Sequence, residues 1–188
     1  MLRYDPLLAV LQGPPLHGKS ATASRMATLS NFGVVDVDAV RKKYYPTKTG
    51  VLLPDAEERA VMVDSYTKVF DEVQRLFDSG SPAVVPATFS RDEFKKPLLD
   101  FIAMTKMPVF IFSLEVSSFA SIQRRIESRA REGSLSPITN EEKYRWSLTI
   151  RTPWPEVVKI IPIDTEGGIG ATANKVLEIL YLYRKSAA

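Results

Sequence analysis

The sequence predicts a single α/β domain spanning residues 1–188: a five-stranded parallel sheet as the middle of three layers, with helices on both faces. Three observations lead there. Five short, continuously apolar runs recur along the chain, as strands buried on both faces do. Stretches with helical spacing of apolar residues alternate with them, the order that links parallel strands through crossover helices. Between the first run and the first helical stretch lies a loop bounded by Gly13 and Gly18.

The first strand is assigned to 7–11, Leu7-Leu8-Ala9-Val10-Leu11, and the first helix to 20–29, through Ala23, Met26 and Ala27. A second strand, 33–37, ends in Val35-Asp36-Val37-Asp38, with a helix starting after it. The helix assigned to 56–79 carries Ala60, Val63, Tyr66, Val69, Phe70, Val73, Leu76 and Phe77 on one side and stops at Ser79-Gly80-Ser81-Pro82, a glycine–proline stop signal. Strand 83–85, helix 91–104, strand 109–113 and helix 117–132 follow, then strand 159–163 and helix 170–184. Residues 133–140, rich in Gly, Ser and Pro, read as a mobile loop, and the tail 185–188 as frayed. No internal repeat appears.

Composition narrows the chemistry. Hydrophobic residues make up 45% and charged residues 25%, ordinary for a globular domain. A net charge of +3 is too mild to imply non-specific nucleic-acid binding. There is no cysteine and one histidine, which removes thiolate metal sites, catalytic thiols and histidine triads. No apolar run reaches the roughly 18–20 residues of a membrane span, and the N-terminus lacks a signal-peptide pattern. A cytoplasmic location without a membrane partner is the expectation.

Gly13-Pro14-Pro15-Leu16-His17-Gly18-Lys19-Ser20 matches G-x-x-x-x-G-K-S in a strand–loop–helix frame. The loop from Gly13 to Ala21 is expected to cradle phosphates through its backbone N–H groups at the start of the helix, although Pro14 and Pro15 contribute no donor. Lys19 would reach the β- and γ-phosphates, and the Ser20 hydroxyl would ligate Mg²⁺. His17 reads as a loop position whose backbone does the work. In open α/β sheets ligands gather at the carboxyl ends of the strands, which draws in Asp38 and Arg41. Asp38 suits a general base and Arg41 an anion contact; the alternative is a helix-capping aspartate with an i,i+3 ion pair. The run Arg124-Arg125-Ile126-Glu127-Ser128-Arg129-Ala130-Arg131 puts Arg125 and Arg129 one helical turn apart. They suit a phosphate-covering lid of about 124–145, or a solvated helix paired with Glu127 and Glu132.

Taken in order, Gly13 to Ser20, Asp38-x-x-Arg41, Val84-Val85-Pro86-Ala87-Thr88-Phe89, Arg125-x-x-x-Arg129 and Ile163-Asp164-Thr165 resemble the P-loop kinases of the polynucleotide 5′-kinase type. Zeta-toxin-like and small-molecule kinases share much of the layout. The resemblance implies a P-loop NTPase-type fold, ATP and Mg²⁺ as cofactors, and transfer of the γ-phosphoryl group to a hydroxyl. The expected acceptor is then a polynucleotide 5′-hydroxyl, with a small polyol, nucleoside or sugar as the alternative. The resemblance also implies Asp38 as base, Arg41 and Thr88 on the acceptor side, and Arg125 and Arg129 over the donor. The adenine is expected near Thr165-Glu166-Gly167-Gly168. Pro86 and Ala87 stand where relatives carry an acid, which leaves Ser20 and Asp36 as the metal-side oxygens.

Two other classes fit less well. A switch GTPase needs Asn-Lys-x-Asp, and Asn174-Lys175-Val176-Leu177 lacks the aspartate. A motor ATPase needs a strand ending in Asp-Glu, and Ile111-Phe112-Ser113-Leu114-Glu115 lacks the aspartate too. A nucleotide-binding scaffold without transferase activity stays open. For a nucleic-acid acceptor, Arg41-Lys42-Lys43-Tyr44-Tyr45 with Lys95-Lys96 offers cations and aromatics, or else a solvated helix end.

Overall fold

The structure is a computed structural model describing residues 2–48, 55–131 and 138–187, with backbone alone at 129–131 and 187. Five parallel strands form one sheet in the order β2-β3-β1-β4-β5. They are β1 (Leu8–Gln12), β2 (Gly33–Val34), β3 (Ala83–Ala87), β4 (Val109–Glu115) and β5 (Ile160–Asp164). The helices are α1 (Lys19–Leu29), α2 (Val37–Tyr44), α3 (Asp55–Asp78), α4 (Asp92–Met104), α5 (Phe119–Arg131), α6 (Glu141–Thr149) and α7 (Gly168–Ala187).

β1 is the central strand, with Leu8 opposite Ala83 on one side and Val109 on the other. Its side chains divide between two cores with the period of two that a strand imposes. Leu8 and Val10 pack with Val85, Tyr66, Val69, Leu98 and Phe101 under α3 and α4. Ala9 and Leu11 pack with Val84, Phe112, Met26, Val176 and Leu180 under α1 and α7. The chain crosses over β1 between β3 and β4, so the order reverses beside β1. The crevice at such a reversal, at the carboxyl ends of the strands, is where open α/β sheets hold ligands. A third cluster, Leu16, Ile122, Ile138 and Tyr144, ties the loop after β1 to α5 and α6.

Pro86 sits inside β3 with no donor to give. Ala83 N–H bonds Leu7 O on the β1 side, while Val84 O accepts from Val35 N–H on the β2 side. Alternation then turns Pro86 toward β2, whose pairing has already ended at Val34. The missing hydrogen bond faces a place where no strand continues, the edge-like setting that tolerates proline.

The sheet and both helical layers are as the sequence predicts; several boundaries differ. The second strand stops at Val34, because Asp36 caps α2 by accepting from Asp38 N–H and Ala39 N–H. The capping aspartate is therefore Asp36, not Asp38. Residues 133–137 of the expected loop, and Glu132, lie outside the described residues. Its far end is ordered: Ile138 is buried, and Asn140 caps α6 by accepting from Lys143 N–H. The expected frayed tail is helical through Ala187.

Candidate active site

The loop after β1 is built around backbone that side chains resist. Gly13 has φ 147, and a Cβ there would lie 2.7 Å from the Leu114 carbonyl oxygen of β4. Leu16 holds φ 70, a left-handed conformation costing a leucine about 1–2 kcal/mol. Its side chain is buried in the third core, and its carbonyl accepts from Arg125 Nη1 at 2.8 Å. Gly18, at φ 81, precedes α1 without any side-chain cap, and the first turn of α1 has no acidic residue. The opening N–H groups of α1 thus have no intrahelical acceptor, and the helix dipole favours an anion there. Lys19 Nζ donates to the Pro14 carbonyl at 2.8 Å, folded back across the loop.

Gly13→Ala adds a methyl into backbone that cannot retreat and forces an unfavourable φ. Loss of about 2–3 kcal/mol in unfolding free energy is expected, read from urea denaturation. A loss below about 0.5 kcal/mol would show that the loop adapts.

Ser20 Oγ donates to Asp36 Oδ2 at 3.0 Å, while Asp36 Oδ1 takes Asp38 N–H at 2.8 Å. A hydroxyl and a carboxylate oxygen side by side, next to the uncapped helix end, fit Mg²⁺, which uses one or two carboxylates and keeps its waters. Among the described residues no group of three His, Cys, Asp or Glu side chains forms a fuller cage. Solvent and phosphate oxygens would complete the shell.

His17 does more than its backbone. The ring is 6% exposed; Nδ1 lies 2.7 Å from the Leu114 carbonyl and Nε2 3.0 Å from the Tyr144 hydroxyl. A carbonyl only accepts, so Nδ1 carries the proton and donates, and Nε2 accepts from Tyr144. Burial lowers the His17 pKa to about 4; the Leu114 bond opposes this, and Lys19, Arg125 and Arg151 add to it. Three cations therefore surround the loop. Above about pH 6.5 the imidazole is neutral in folded and unfolded chains alike, and its contribution to stability is fully present. Between pH 6.5 and about 4 the unfolded chain takes up a proton that the folded one refuses, and stability falls. The loss amounts to about 3 kcal/mol. His17→Gln should flatten the stability curve in that window, measured by urea unfolding across pH; an unchanged slope would place the titration elsewhere.

On the facing side, Asp38 Oδ1 accepts from Arg41 Nη2 at 3.1 Å, with the aspartate side chain 74% exposed. Arg41 Nη1 reaches Met62 Sδ, and its Nε is buried without a hydrogen-bond partner among the described residues. Behind them Tyr66 is buried, its hydroxyl accepting from Phe89 N–H at 3.4 Å. Burial pushes the Tyr66 pKa up, and the charges of Asp38 and Arg41 both reach the phenol. Phe89 itself has φ 47, a turn that ends β3 just past Thr88.

Arg151, which the sequence reading passed over, joins the two sides. Its Nη2 donates to Gln12 Oε1 at 2.9 Å and its Nη1 to the Thr88 carbonyl at 3.2 Å. Burial lowers its pKa, with Tyr66 and Tyr144 opposing. No carboxylate pairs with it among the described residues. Thr88 contributes its carbonyl here. Of the expected lid, Arg125 reaches back to the loop; Arg129 lies on α5 with its side chain outside the described residues.

Several residues of the stretch offered for nucleic acid pair with the protein's own carboxylates. Lys43 pairs with Glu72 at 2.7 Å, the Tyr44 hydroxyl donates to the same carboxylate, and the Tyr45 hydroxyl donates to Asp64. Lys96 pairs with Asp100, and Lys95 is buried. In the segment expected near the adenine, the Glu166 carboxylate accepts from Ser118 N–H and Ser121 Oγ. Among the described residues no helix is long and apolar enough to cross a membrane.

Residues 8–146 match the family model described as "AAA domain". No curated protein sequence matches the chain. Among solved structures, the chain is similar to an APS kinase of Mycobacterium tuberculosis in complex with AMPPNP and APS: 16% identity, 94% of this chain and 98% of that one, TM-score 0.64. A gluconokinase of Sinorhizobium meliloti is 15% identical over 97% and 95%, TM-score 0.61. A shikimate kinase of Acinetobacter baumannii in complex with shikimate is 19% identical over 95% and 94%, TM-score 0.63. At these identities the likeness is one of fold.

Proposed function

Because the chain belongs to the AAA domain family and has the P-loop kinase fold, we propose that it is an ATP- and Mg²⁺-dependent phosphotransferase acting on a small-molecule hydroxyl. The observation that carries the transfer reading is Arg151, a half-buried cation strung between Gln12 and Thr88. Burying a charge without an opposite one is costly, and the missing anion is supplied when substrates meet between the phosphate loop and the end of β3.

In this reading the opening turn of α1, with Lys19, binds the β- and γ-phosphates. Ser20 and Asp36 hold Mg²⁺, which neutralises phosphate charge. Asp38 accepts the acceptor hydroxyl's proton; the oxygen bonds to the γ-phosphorus as the bond to the β,γ-bridging oxygen breaks, leaving ADP. Arg125 covers the donor, joined by Arg129. Arg41 and Arg151 orient the acceptor beside Thr88 and Tyr66.

A polynucleotide 5′-hydroxyl remains the alternative acceptor. The small-molecule reading is preferred because Lys43, Lys96, Tyr44 and Tyr45, four of the groups that would track a nucleic-acid backbone, pair with Glu72, Asp100 and Asp64. The structurally similar kinases bound to APS and to shikimate point the same way. The test is transfer from γ-³²P-ATP with Mg²⁺ to sugar acids, polyols, nucleosides and 5′-hydroxyl oligonucleotides. Label on a small molecule is the expected result. Label on oligonucleotide alone would establish the polynucleotide alternative, and ATP binding without transfer to any would favour the scaffold.

A further inference from the structure

Lys95 is a buried cation with no part in the chemistry above. Its side chain is 1% exposed, although lysine is among the residues least often buried. Its ammonium lies 2.7 Å from the Thr152 carbonyl, 2.5 Å from Thr152 Oγ1, 2.8 Å from the Pro153 carbonyl and 3.1 Å from Asp92 Oδ1. The Trp154 ring closes the cage, its centroid 5.4 Å away. Thr152 Oγ1 in turn donates to Asp92 Oδ1 at 2.6 Å, and Thr152 N–H to the Ser90 carbonyl at 2.8 Å. Trp154 packs edge-on against Phe89.

Apart from Asp92, on its own helix, the partners of Lys95 fall on one stretch of chain. Residues 151–155, between α6 and β5, belong to no helix or strand, and Pro153 and Pro155 have no N–H to anchor it. What fastens the stretch is the corner where β3 turns into α4, and Lys95 supplies most of the fastening. The residue at its head is Arg151. An ammonium has three donors in a compact point charge, which suits gathering oxygens from two consecutive residues and a carboxylate. An apolar side chain in that place would take the ammonium's donors away from both carbonyls.

We propose that Lys95 is a positioning residue: its buried ammonium clasps residues 152–154 to the start of α4 and so fixes the Arg151 guanidinium between Gln12 and Thr88. Only the kinetic consequence rests on the phosphotransferase reading; the clasp is tested without it. Lys95 touches neither substrate and acts through Arg151.

The experiment uses the full chain with ¹⁵N-labelled arginine. In the parent protein the Arg151 side-chain N–H signals are distinct and slow to exchange, pinned by two acceptors. In Lys95→Met they collapse toward those of an exposed, freely rotating guanidinium. Thr152→Val, which removes one corner of the cage and keeps the carbonyls, gives a smaller shift in the same direction and serves if Lys95→Met does not fold. In the transfer assay Lys95→Met lowers kcat/KM for the acceptor by about 10²-fold, with AMPPNP affinity unchanged. The double variant Lys95→Met/Arg151→Gln is then no worse than Arg151→Gln alone. Unmoved Arg151 signals in both single variants, or losses that multiply in the double variant, would overturn the clasp. If no acceptor is phosphorylated, the kinase reading fails while the arginine signals still decide the clasp.

Discussion

Asp38→Asn lowers kcat for phosphoryl transfer by about 10²–10⁴-fold and leaves AMPPNP affinity unchanged. The substitution keeps the size of the side chain and one oxygen to accept from Arg41 Nη2, now 3.1 Å away. What it removes is the ability to take the hydroxyl's proton. Asp38 does not cap α2, a task held by Asp36, so the helix start survives the change. With the carboxylate on a surface helix and three-quarters exposed, the stability cost should be within about 0.5 kcal/mol. A kcat within threefold of the parent would remove Asp38 from the base role. A matching loss of thermal stability would make it a structural residue instead.

Lys19→Met reduces transfer by about 10³-fold, the scale on which a single charge-stabilising donor counts, and weakens nucleotide binding with it. In the present structure Lys19 Nζ bonds the Pro14 carbonyl across the loop. Proline at that place offers the phosphate no backbone donor, yet its carbonyl gives the lysine somewhere to rest. Binding of MgATP would exchange that carbonyl for phosphate oxygens. The ratio of kcat loss to Kd loss, from transfer kinetics beside AMPPNP titration, separates ground-state from transition-state contact. Equal transfer in Lys19→Met and parent protein would sink the assignment.

The sheet was legible because a parallel strand buried on both faces leaves continuous apolar residues in the sequence, and β1, β3 and β4 are written that way. The boundary after β2 was not, since Val35 and Val37 read as strand while the Asp36 side chain, bonding two N–H groups ahead of it, starts a helix. α6 went unread because only Tyr144 and Ser147 are buried along it, too few to print a period. Its signal was the start, Asn140 followed by Glu141 and Glu142, a cap with acidic residues in the first turn. Within the candidate site, the loop residues and the Ser20–Asp36 pair follow from motif and strand order. The roles of Arg151, His17 and Lys95 come from partners far away in sequence: Gln12, Tyr144 and Thr152. No local pattern marks them.

His17 has one more use. It is the only histidine of the chain, so a proton spectrum contains a single imidazole and its ring signals need no assignment by mutagenesis. That ring bonds β4 through one nitrogen and α6 through the other, from inside the phosphate loop. Its chemical shifts are therefore a built-in gauge of whether the loop is filled, readable in unlabelled protein at neutral pH as ligands are added one by one.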